Sequence, residues 1–62
     1  MSPQLVALLA AIFATNARVL GMKAENEQRA SKGDPPAYEE GHFNQEAFYL
    51  ESLAEEARTL TS

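Results

Sequence analysis

Cysteine and tryptophan are absent from this 62-residue chain, and glycine and proline occur three times each. No cysteine means no disulfide staple and no thiolate metal site or nucleophile. Basic residues are also scarce, five Lys and Arg against nine Asp and Glu. Nucleic-acid binding needs clustered Lys and Arg to neutralise phosphates, so that class is not expected. No glycine-rich phosphate loop is present, and a single histidine offers little for acid–base catalysis. The sequence therefore predicts no enzyme activity and calls for no cofactor. A chain of this length has room for one domain, residues 1–62, and buries little surface alone. Without staples it is expected to gain stability from partners or a membrane.

The most informative absence is of charge. Between Ser2 and Ala17 there is none. On a wheel of about 100° per residue, Leu5, Val6, Leu9, Ile12, Phe13 and Leu20 form a bulky stripe. Roughly opposite run Ala7, Ala10, Ala11, Ala14, Ala17 and Gly21, all small. A helix apolar on more than one side expects more than one neighbour.

Helix signals frame this segment. Ser2 before Pro3 is a hydroxyl cap followed by a proline whose missing N–H is not needed there. The pattern continues to about residue 32, with Lys23/Glu27 and Glu25/Arg29 spaced for i,i+4 ion pairs. Gly33 suits a helix C-terminus, and Asp34-Pro35-Pro36 stops the chain there. A second helix starts at residue 36 or, if Gly41 breaks it, at residue 44, and ends near residue 60. Phe43, Ala47, Leu50, Leu53, Ala54, Ala57 and Leu60 share one of its faces. The expected fold is all-α, a two-helix hairpin with a short turn near residues 33–36, assembling into a helical bundle or larger complex.

The predicted core comprises Leu5, Leu9, Ile12, Phe13, Leu20, Phe43, Leu50, Leu53 and Leu60. The Ala/Gly strip would then stay uncovered, which makes Ala10, Ala14, Ala17 and Gly21 the predicted interface. Phe48 joins them, since it falls about 160° from Leu50 on the outer side of the second helix. Tyr49 lies at the edge, and Tyr38 is expected against the loop. The partner on this reading is a second copy or a larger protein assembly, in the cytoplasm or a virion.

Residues 3–22 are also about long enough to cross a bilayer, and Ala10/Ala14 and Ala17/Gly21 have small-xxx-small spacing. Gln4, Thr15, Asn16 and Arg18 weaken a span, and no Trp or Tyr belt flanks it. The apolar run is preceded by no Lys or Arg, unlike a signal peptide. A single-span membrane protein is the alternative, with the Arg18–Lys32 side cytoplasmic. Charge is uneven: residues 1–33 carry four Lys and Arg against two Glu, while residues 34–62 carry Arg58 against seven acidic residues.

Two resemblances complete the sequence reading. Glu39-x-x-His42 has the i,i+3 carboxylate–imidazole spacing of di-iron bundles. With Glu27 and Glu46 it resembles the minimal sites of encapsulated ferritin-like proteins, which would imply a metal-binding dimer. Gly41 and the Pro35-Pro36 pair depart from a regular ferritin helix, and a chance surface placement accounts for the same motif. The stretch Gly21-Met22-Lys23-Ala24-Glu25-Asn26, with Arg29, Gly33, Ala37-Tyr38, Glu40 and Phe43, resembles a pattern in small uncharacterised tailed-phage proteins. That resemblance covers about a third of the chain and implies a viral setting, but no active-site residue.

Overall fold

In the computed structural model, residues 2–61 form two helices, α1 (Pro3–Ser31) and α2 (Glu40–Thr61), packed against each other as a hairpin. The body is elongated, 48 × 18 × 10 Å.

The start of α1 follows from its first residues. Ser2 is extended, and its Oγ accepts a hydrogen bond from the Leu5 N–H at 3.0 Å, with Pro3 at the first helical position. The stop is equally local. Gly33 adopts φ 78°, a conformation that costs a side chain-bearing residue about 1 kcal/mol or more. This lets the Gly33 N–H reach Ala30 O at 3.1 Å and the Asp34 N–H reach Arg29 O at 2.9 Å. Two carbonyls of the last turn are thereby satisfied.

The expected start of α2 is corrected. It begins neither at residue 36 nor at residue 44 but at Glu40, and Gly41 lies inside the helix. Two interactions fix this start. The Asn26 side chain holds the backbone of Tyr38 twice, donating to its carbonyl at 2.8 Å and accepting from its N–H at 3.0 Å. His42 Nδ1 accepts from the Glu39 N–H at 3.0 Å, the reciprocal half of a capping box with an imidazole in place of the usual Glu or Gln. Residues 32–39 are thus a fastened connection, longer than the turn expected over 33–36.

The rotation of α1 also differs from expectation. Its buried residues are Leu8, Thr15 and Met22, seven apart on one line. Leu5, Ala11, Ile12 and Val19 flank them half-buried. From α2 come buried Leu53 and half-buried Phe43, Leu50 and Ala57. Of the predicted core, Leu9, Phe13, Leu20 and Leu60 are instead exposed.

Polar partners explain the rotation. Asn26 and Arg18 must face α2 to reach Tyr38 and Glu46, and on a 3.6-residue wheel they border the Leu8–Thr15–Met22 line. Leu8 and Met22 replace leucines of similar size, whereas Thr15 stands where Phe13 was expected, so the rotation leaves the Phe13 ring unburied. Thr15, only 1% exposed, satisfies its hydroxyl by donating to Ala11 O at 2.7 Å, the i−4 carbonyl of its own helix.

Candidate functional site

Turning Leu8, Thr15 and Met22 inward leaves the bulky stripe of α1 outside. Val6 is 51% exposed, Phe13 71% and Leu20 59%, with Leu9 beside them. They follow one another at steps of three, four and seven residues, so they stack along one side of the helix. Ala10 and Ala17 border them, and Ala14 and Gly21 lie further round the helix, all exposed. A Cβ placed on Gly21 would meet nothing within 4 Å. The α1 residues predicted as interface are thus uncovered in the hairpin, and Leu9, Phe13 and Leu20, predicted as core, join them at the surface.

Phe48 is 74% exposed on the far side of α2. Its position among Glu51, Ser52 and Glu55 isolates it from the α1 surface. Tyr38 packs its ring edge-on against His42, centroids 5.8 Å apart, at the loop as expected.

Arg18 spans the helices. Its Nε and Nη2 donate to the two carboxylate oxygens of Glu46 at 2.8 and 2.7 Å, and Nη2 also reaches Thr15 Oγ1 at 3.5 Å. This fork holds the Glu46 carboxyl below its ordinary value through the hydrogen bonds and Coulombic attraction. The same contact raises Arg18. Arg18 with Glu46 and Asn26 with Tyr38 are both centred on residue 32, so one register runs through the hairpin. In that register Glu51, Glu55 and Glu56 lie level with the apolar half of α1.

The metal candidates are not brought together. Glu46 is engaged by Arg18, His42 caps its own helix and Glu27 is exposed on α1. Among the described residues no three His, Cys, Asp or Glu side chains form a group able to hold a metal ion. The depression beside Glu39, Gly41, His42 and Gln45 is open and shallow. Glu25 and Arg29 form their i,i+4 pair at 3.0 Å. No Lys23–Glu27 pair occurs among the ion pairs of the described residues.

Sequence reasoning missed Leu8, Thr15, Met22 and Asn26. The seven-residue spacing of the first three was visible, but bulk alone ranked Phe13 and Leu20 above them. By length and composition α1 could cross a membrane, and little of its apolar stretch is buried in the hairpin. No family model, curated protein or solved structure matches this chain.

Proposed function

We propose that this protein is a non-enzymatic structural or adaptor subunit that works through helix–helix assembly. The observation that carries this reading is the uncovered side of α1, where Val6, Leu9, Phe13 and Leu20 are exposed beside a strip of small residues. A contiguous exposed apolar patch on a soluble domain marks a binding surface. The resemblance of residues 21–43 to small tailed-phage proteins suggests a viral assembly as the setting.

Size-exclusion chromatography with light scattering, without detergent, tests the reading. A discrete oligomer is expected. Ala14→Leu and Gly21→Leu should reduce its size while leaving helicity intact, since neither position is crowded in the hairpin. Unchanged oligomer size in both variants would remove the small strip from the interface.

A single-span membrane protein is the second reading, favoured by the length and apolar character of α1. It requires α2 to leave α1. In the closed hairpin Glu51, Glu55 and Glu56 lie alongside the apolar stretch, and each would cost about 2.5–3.5 kcal/mol at the bilayer centre. Solubility after carbonate extraction would exclude a span.

A further inference from the structure

We infer that the partner of the exposed α1 face is a second copy of this chain, joined along Val6, Leu9, Phe13, Asn16 and Leu20 in parallel register. This inference rests on the assembly reading and names its partner. The five residues follow steps of 3, 4, 3 and 4, the spacing of a coiled-coil seam. Two heptads are too few to hold an isolated helix pair. Here α2 already holds α1 in its helical form, so association need not meet the cost of ordering it.

Three observations favour a twin over another occupant. The first is area. A monomer of 6.8 kDa is expected to expose roughly 4,000 Å². This hairpin exposes 4684 Å², an excess of about 700 Å² against the ~800 Å² per partner of a standard protein interface.

The second is charge. The chain carries a net charge of −4, so two copies can meet only through a face that adds no close like-charge pairs to their mutual repulsion. The seam meets that condition from Val6 to Ala17, and its borders do too. Leu5, Ile12 and Val19 lie on one side, with Ala10 and Ala17 on the other. The first charge along the helix, Arg18, is already paired with Glu46 of its own chain. Hydrocarbon would tolerate the seam as well, but not the Glu51, Glu55 and Glu56 row held level with it.

The third is Asn16, exposed and the one polar residue on the seam. In parallel register it meets its own twin, and two amides can satisfy each other. In an antiparallel pair centred on Phe13 it would lie level with Ala10, with Leu9 the nearest seam residue, leaving a polar group without a partner at a cost of about 1–3 kcal/mol.

Because the chain has no cysteine, single-cysteine variants report the contact cleanly. Light scattering without detergent should show a dimer. Phe13→Gln should return it to a monomer of unchanged helicity, since Phe13 is outside the hairpin core. Asn16→Leu should tighten association about tenfold or more. Under mild oxidation Leu9→Cys should form a disulfide-linked dimer. A link through Phe13→Cys with none through Leu9→Cys would overturn the parallel register. In an antiparallel pair centred on residue 13 the two copies of residue 9 are about 12 Å apart along the axis, beyond disulfide reach. An oligomer that survives Phe13→Gln but not Ala14→Leu would overturn this seam and leave the assembly reading standing. A detergent-free monomer would overturn the second copy alone, leaving assembly with a different protein. Recovery only in detergent, as a monomer, would overturn both.

Discussion

Between residues 25 and 42 the hairpin is tied by directional bonds, whereas residues 3–14 and 50–60 are joined chiefly by packed side chains. The closed end has the Asn26 hold on Tyr38, the Gly33 turn, the His42 cap and, a little further along, the Arg18–Glu46 fork. The open end has Leu8 and Leu53 buried, with Leu5, Ile12, Leu50 and Ala57 half-buried. Directional bonds tolerate little misplacement, so the closed end sets register and rotation. Apolar contacts accept many arrangements and supply most of the energy. The division explains why the bulky stripe of α1 ends outside. The tie chooses the rotation, and the open end packs whatever that rotation presents.

The comparison can be broken most severely from the open end. Leu53→Ala removes the one buried leucine of α2 and should cost about 2–5 kcal/mol, enough to unfold much of so small a hairpin. Urea titration followed by circular dichroism reads this directly. At the closed end Asn26→Ala leaves the Tyr38 backbone without both its partners, for an expected loss of about 1–3 kcal/mol. Hydrogen exchange should rise first at residues 37–40. If exchange rose equally everywhere, the tie would not be local.

Gly33→Ala forces a Cβ into the left-handed region and should cost about 1–2 kcal/mol, with no steric contribution because the site is open. His42→Ala is expected to cost about 0.5–1 kcal/mol, the scale of a helix cap, and to shorten α2 by fraying its first turn. A variant that retains an acceptor, His42→Gln, should recover most of it.

The smallest effect is that of acid. Glu46 sits below its ordinary value of 4.5 in the folded state because Arg18 donates to its charged form. Its contribution is therefore fully present above that value and is lost as pH falls through the depressed folded value. Thermal scans from pH 7 downward should show a decline confined to that acidic range, and Glu46→Gln should abolish it.

Much of this fold is legible in the residues. Ser2-Pro3 marks where α1 begins, and Gly33 before Asp34-Pro35-Pro36 marks where it ends. The apolar face of α2 is equally plain through Leu53, although Leu60 at its end is exposed. Two features were not legible, for one physical reason. The start of α2 at Glu40 depends in part, and the inward turn of Leu8, Thr15 and Met22 chiefly, on bonds between residues distant in sequence. Asn26 looks like any polar residue on a wet helix until Tyr38 is beside it. A wheel ranks faces by size and hydrophobicity, and by that measure Phe13 and Leu20 outrank Thr15. The exposure of the Ala/Gly strip was readable from spacing, while that of Phe13, expected in the core, was not.

The Asn26–Tyr38 tie also has a consequence for time. It joins residues twelve apart, and a loop of that size closes in roughly 10–100 ns. Once it has closed, each turn toward the open end needs only a short further search, in the manner of a zipper. Local contacts of this kind belong to chains that fold in microseconds to milliseconds. Residues 3–14 and 50–60 are then the last to dock and the first to part. The most apolar surface of the molecule is thus carried by the turns that complete last.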